Sequence, residues 1–113
     1  MSLGKKLMEL RSGRERKQIE VSEWAEIIPC IYVRPLSAGD VDKIQRKHKD
    51  FINNPTVAAM VDLIILKAED ANGDKLFSLE DKPFLLGEDL NIISAVAQDM
   101  FNDIVSAEEA EKN

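Results

Sequence analysis

The sequence predicts an α+β protein, mainly α-helical, in which an N-terminal β-hairpin is followed by a bundle of three to four helices. Three observations lead there. Residues 19–33 are rich in β-branched side chains and begin with period-two alternation; residues 57–66 are apolar around nearly the whole helical circumference; residues 88–107 repeat apolar side chains at helical spacing. A chain of 113 residues has the length of one domain. It divides into a basic N-terminal arm (1–17), the hairpin (18–36), a helical core (37–107) and an acidic tail (108–113).

Taken in order, residues 3–10 suit a short helix that Ser12 and Gly13 end, and residues 14–18 read as a loose polar stretch. Ile19 and Val21 alternate with Glu20 and Ser22, and Glu23 and Trp24 continue that strand. Residues 27–33 form the second strand, which Pro29 confines to an edge or a bulge. Ser37 or Asp40 caps a helix running to Ile52, with Val41, Ile44, His48, Phe51 and Ile52 on one face. Asn53-Asn54-Pro55 stops it, because a residue before proline avoids helical geometry. Pro55 and Thr56 open the next helix, and a helix apolar on all sides is central and buried. Asp70 to Asp74 make a turn, with Asn72 and Gly73 suited to positive φ. Leu76 and Phe77 return to the core. Ser78 to Asp81 then form a cap and a short helical turn, with Pro83 near its end. In the last helix Leu90, Ile93, Ala97, Met100 and Ile104 form one stripe, Ile92, Val96 and Val105 widen it, and Phe101 stands at its border.

Composition narrows the chemistry. The chain is 44% hydrophobic but only 5% aromatic, so the core is aliphatic and too small to surround a deep pocket. A net charge of −6 disfavours nucleic acid and anionic membranes as partners. That charge is unevenly placed: six bases face two acids in residues 1–17, a net +4, whereas residues 68–113 carry −9. This describes either a solvated surface with a basic arm or a basis for head-to-tail attraction between copies. Cys30 is the single cysteine, so no intramolecular disulfide is expected. Neither a signal peptide nor a membrane-crossing run is visible, and a cytoplasmic location is expected.

No catalytic constellation emerges, and neither an enzyme nor a cofactor is expected. His48 has no nucleophile at a telling spacing, and the five glycines form no phosphate loop. The sharpest local motif runs from Asp70 to Asp81. Asp70, Asn72, Asp74 and Asp81 align with liganding positions of an EF-hand calcium loop. Lys75 replaces the glycine such a loop needs at its sixth position, however, and Asp81 is one methylene shorter than the bidentate Glu. The expectation is therefore no metal, with those four residues as the weak candidate. The wide arc of the last helix is covered by two elements of the same fold, or else is a helix-in-groove or self-association surface. Trp24, Ile92, Val96, Met100 and Phe101 are the partner-binding candidates, since Trp is common at interface centres.

From Tyr32 to Phe101 the order of signals resembles the tail assembly chaperones of long-tailed, siphovirus-type phages and prophages. The residues carrying the resemblance are Tyr32-Val-Arg-Pro-Leu36 leading into Ser37-Ala-Gly-Asp40, then Ala68-Glu-Asp-Ala-Asn-Gly-Asp-Lys-Leu-Phe-Ser-Leu-Glu-Asp81, Leu86-Gly87 and the helix from Leu90. The family shows "vRpLtaaE", an apolar helix, "DedGkrlFsdeD", a Leu-Gly step and a final amphipathic helix. Its final helix usually ends near Leu-Asn-Gly, whereas here it runs on through residues 102–105. The resemblance implies a protein that coats the tape measure protein, recruits major tail (tube) protein subunits, self-associates and is absent from the mature virion. Its binding contacts would lie on the exposed part of the last helix and on the hairpin. Two other classes stay open: an EF-hand-like calcium-binding module, and a small DNA-binding regulatory protein using residues 5–17 as its arm.

Overall fold

Backbone hydrogen bonding divides the chain into α1 (Leu3–Ser12), β1 (Lys17–Ile19), β2 (Ile31–Val33), α2 (Ala38–Lys47), α3 (Val57–Lys67), α4 (Lys82–Leu86) and α5 (Leu90–Lys112), with 3₁₀ turns at Ser22–Trp24 and Leu79–Asp81. This is the mainly helical α+β architecture expected, with α1 placed ahead of the hairpin. The structure, a computed structural model, describes residues 2–12 and 16–112, with side chains for 2–10 and 16–101. Residues 13–15 of the basic arm, the side chains of Ile104 and Val105, and those of the acidic tail lie outside the described residues.

The all-round apolar helix is the centre of the molecule. Thr56 caps α3, its hydroxyl accepting the Ala59 amide at 3.2 Å. Ala59, Val61, Leu63, Ile64 and Ile65 are buried, with α5 as the principal neighbour of α3 and α2 and α4 packed beside it. From α5 come Ile93, Val96, Ala97 and Met100. Fully burying one such side chain contributes about 1.5–3 kcal/mol, against about 0.3–0.5 kcal/mol for an exposed helical ion pair such as Asp42–Arg46. The apolar layer decides the fold.

The hairpin is shorter than its sequence suggests. β1 and β2 pair antiparallel with Lys17 opposite Val33 and Ile19 opposite Ile31. Trp24, expected on the first strand, instead ends a 3₁₀ turn, and Ile27 and Ile28 fold back with both amides on the Trp24 carbonyl, at 2.9 and 2.7 Å. Pro29 precedes β2 rather than interrupting it, since a residue without an N–H does not extend the ladder. The other edge of β2 is covered: Tyr32 and Glu69 exchange two backbone hydrogen bonds of 2.9 Å.

Residues 16–18, expected to be loose, are anchored instead. The Arg16 guanidinium lies 4.7 Å from the Tyr32 ring centroid and donates to the carbonyls of Asp70 and Ala71 at 2.9 and 2.8 Å. Lys17 Nζ reaches the Asp99 carbonyl on α5 at 2.7 Å. Two of the arm's six bases, Arg16 and Lys17, are thus absorbed into local structure.

α2 begins with a reciprocal capping box: Asp40 N–H donates to Ser37 Oγ and Ser37 N–H to Asp40 Oδ2, each at 3.0 Å. It ends at Lys47 rather than at the expected Ile52. His48 leaves the helix, and the following turn drives Phe51 into the core, where it is 2% exposed and meets Phe101 edge to face at 5.3 Å. The short helical turn expected to have Pro83 near its end is a 3₁₀ turn that runs on into α4, with Pro83 in the first turn of that helix, where a missing N–H is harmless.

At the 70–74 turn Asp70 N–H donates to the Asp74 carbonyl at 2.8 Å and Gly73 takes φ +89°. A Cβ there would meet only Arg34 Nη2, at 3.5 Å, so backbone conformation and not space is what demands glycine. Gly73→Ala should therefore lower stability by about 1–2 kcal/mol, measured as a fall in the urea midpoint with an unchanged slope.

Candidate interaction surface

The loop between β1 and β2, the segment after the 70–74 turn, and α4 meet in an open groove of about 400 Å³. Its wall is apolar: Trp24, Ile27, Ile28, Phe77, Phe84 and Leu85. Three carboxylates, Glu23, Asp81 and Glu88, stand among them, and no basic side chain among the described residues lines it. Ile27 and Phe84 are 87% and 79% exposed. Two adjacent large apolar side chains so open to water are a marker of a binding face.

The groove is held rigid from below. The Trp24 ring meets Phe77 edge to face, with centroids 6.1 Å apart, and its Nε1–H donates to Glu88 Oε2 at 3.1 Å. Glu88 Oε1 in turn accepts the Asp89 amide at 3.0 Å. Asp89 Oδ1 accepts the Asn91 amide at 2.8 Å, closing the start of α5. Leu85 is buried, tying α4 to the core while Phe84 projects outward.

The partner-binding candidates read from the sequence divide. Trp24 lies in the groove. Val96 and Met100 are 2% and 1% exposed, so their side chains are spent in the core against α3. Ile92 and Phe101 are half-buried and packed on that core. The wide arc of the last helix is covered by its own fold over these residues. Ile27 and Phe84 were not among the candidates. For Phe84 a partial signal lies in Pro83-Phe84-Leu85-Leu86-Gly87, a helix too short to bury three consecutive large apolar residues on one face; Ile27 carries none.

The EF-hand-like carboxylates are turned on their own backbone. Asp70 Oδ1 accepts the amides of Asn72 and Asp74 at 2.8 and 3.0 Å, and Asp81 Oδ2 accepts the Ser78 amide at 2.8 Å. Among the described residues no group of three or more His, Cys, Asp or Glu is arranged to hold a metal. Calcium at about 1 mM, the weak end of such sites, should leave the melting temperature unchanged.

A buried ionic cluster around Asp62 has no counterpart among the residues singled out from the sequence. Asp62 Oδ2 is 2.8 Å from His48 Nε2. Lys82 Nζ is 2.9 Å from Oδ1, an ion pair to the same carboxylate. A second pair, Lys67 Nζ to Asp40 Oδ2 at 2.9 Å, is buried at the other end of the α2–α3 contact. Burial raises the proton affinity of the Asp62 carboxyl; the His48 hydrogen bond, then Lys82 and Lys47, outweigh it and hold the pKa below its ordinary 3.8. For Asp40 burial is likewise outweighed, by the Ser37 amide and Lys67, and its pKa is also lowered. These groups join helices.

The fold itself is the small α+β class defined by the hairpin, the central α3 and the long α5. Among solved structures it is similar to that of the bacteriophage HK97 tail assembly chaperone, with a TM-score of 0.60 and 19% identity over 91% of this chain and 99% of that one. No family model matches the chain, and no curated protein sequence does. No helix among the described residues is long and apolar enough to cross a membrane.

Proposed function

We infer that this protein is a tail assembly chaperone of a long-tailed phage or prophage. It works by binding rather than catalysis, associating with the tape measure protein and tail tube subunits in the host cytoplasm and with further copies of itself. The observation that supports this best is the fold shared with the HK97 chaperone over nine-tenths of the chain. The motifs that resemble the family sit at its joints: Ser37 and Asp40 cap α2, and the 70–74 turn carries the chain from α3 to Phe77.

The groove suits such work. Its apolar wall and acidic lining match an amphipathic helix with basic flanks, and an elongated helical client offers that face repeatedly. Contacts of this size are weak singly and strong in arrays, as a reversible coat requires. Co-expression with a tape measure protein of the same phage or prophage is the test. Co-purification and improved solubility of that protein are the expected result; a tape measure protein that stays insoluble and unbound would refute the reading.

A further inference from the structure

A second recess lies on the α2–α3 side of the molecule, and its charge is of the opposite sign. It measures about 220 Å³, and Ile44, Ile65, Leu66 and Leu79 give it an apolar wall. Lys43, Lys47 and Lys75 stand around that wall, and all three are exposed. Among the described residues none of these lysines lies within ion-pair distance of a carboxylate: Asp42 pairs with Arg46, and Asp40 with Lys67. The carboxylate that lines the recess, Asp62, is held by His48 and Lys82. Lys43 and Lys47 are four apart on α2, a spacing at which like charges repel and weaken a helix. Leu79, at the rim, is 69% exposed. Neither feature stabilises the isolated molecule; the cations and the leucine are left for something outside it. The 3₁₀ turn Leu79–Asp81 separates the two recesses, Leu79 lining the basic one and Asp81 the acidic groove.

We propose that this recess is a second client-binding face and that it takes an acidic peptide segment. One large apolar side chain of the segment sits on Leu66 and Leu79, and carboxylates on either side of it pair with Lys43, Lys47 and Lys75. Three properties select that occupant. The charge selects an anion, since the three lysines have no counter-charge of their own. The wall selects a peptide over a nucleic acid: no aromatic ring among the described residues lines it for a base to stack on, and a net charge of −6 repels a phosphate chain. The size selects a single side chain, because 220 Å³ falls below the roughly 300–1,000 Å³ of sites that enclose small molecules. The protein then holds client segments of opposite sign on the two sides of one turn, a basic amphipathic one in the Trp24 groove and an acidic one here. That the segment belongs to a client rests on the proposed function; the site rests on the recess alone and is tested without any tail protein.

The experiment is NMR chemical-shift mapping on the isotope-labelled full chain. The probe is the synthetic peptide EEELEEE, compared with EEESEEE and with an eight-nucleotide oligothymidylate. With EEELEEE the shifts should saturate and centre on residues 43, 47, 75 and 79, with a Kd of about 0.1–1 mM, as for one small contact. EEESEEE should bind about tenfold more weakly for want of the buried leucine. Raising the salt from about 50 to 500 mM should weaken EEELEEE several-fold. Lys43→Glu combined with Lys75→Glu, and Leu79→Ser alone, should each lower its affinity about tenfold. Melting temperatures confirm that these variants, all altered at exposed positions, remain folded. Phe84→Glu, in the other groove, should leave EEELEEE binding unchanged. No shift on the full chain, the result expected if its own acidic tail fills the recess, would overturn the proposal. So would shifts centred on Trp24 and Phe84, equal binding of EEESEEE, or basic-recess variants that bind as wild type does. Oligothymidylate bound at the same residues as tightly as EEELEEE would make this a polyanion site. The same shifts on concentrating the protein alone would seat a second copy there, and either result refutes an acidic client segment. Co-purification of a tape measure protein can fail while the peptide binds, and the reverse, so the two conclusions are separable.

Discussion

Asp62→Ala should lower the unfolding free energy by about 3–5 kcal/mol, the cost of removing one partner from a buried charge pair. The side chain is 7% exposed and faces His48 and Lys82, which are 18% and 31% exposed. Without the carboxylate those two groups converge beside α3 with no acceptor between them. Asp62→Asn keeps the shape and one acceptor for His48 but not the charge beside Lys82, so its loss should fall between wild type and Asp62→Ala. Urea unfolding at neutral pH measures all three. Equal losses for the alanine and asparagine variants would show that shape, not charge, is what the cluster supplies.

The same cluster sets the acid limit of the fold. The Asp62 and Asp40 pKa values are lowered in the folded protein from an ordinary 3.8. A carboxylate whose folded pKa is depressed contributes stability that is fully present above the unfolded value. That stability is lost as pH falls through the folded one. The contribution should therefore be constant at neutral pH, start to fall near 3.8 and be gone below the depressed values. In Asp62→Ala this part of the acid transition should be shallower, because one of the two groups releasing it is absent. Melting temperature followed from pH 7 to pH 2 reads the difference.

How much of this was legible in the sequence depends on whether a residue's fate is settled by its near neighbours. α3 was readable because apolarity on every side admits one location. The capping box at Ser37, the Thr56 cap and the Gly73 turn were readable because each depends on residues within three or four positions. Strand length in the hairpin was not. Residues 27–28 are β-branched like strand residues, yet Pro29 ends the ladder and the Trp24 carbonyl captures both preceding amides. The end of α2 was not legible either, since what pulls His48 and Phe51 out of helical register is Asp62 and the core, 11 to 14 positions away. For the candidate site, Trp24 was found because its type is informative anywhere. Phe84 and Ile27 were missed because exposure is a property of the assembled fold, and α4 buries Leu85 while leaving its neighbour bare. The lesson runs the other way for Asp62 and Lys67: charged residues five apart inside an apolar helix ask for buried partners, a signal that local patterning carries but periodicity alone discards.

Met100→Ala and Phe84→Ala should separate core from surface. Met100 is 1% exposed between α5 and α3, and its truncation should cost about 2–5 kcal/mol through lost burial and an unfilled cavity. Phe84 is 79% exposed, and its truncation should change stability by less than about 0.5 kcal/mol. Both follow from urea unfolding, with an unchanged slope as the control for two-state behaviour. The contrast has a functional edge. A surface that binds in the folded state must be removable without unfolding the protein, and Val96 and Met100 fail that criterion as much as Phe84 and Ile27 meet it. A binding defect in Met100→Ala would follow from loss of the fold and say nothing about contact. A defect in Phe84→Ala, at native stability, would locate contact in the groove. If Phe84→Ala were instead as unstable as Met100→Ala, the side chain would be a core residue in solution, and the groove would not exist as an open face.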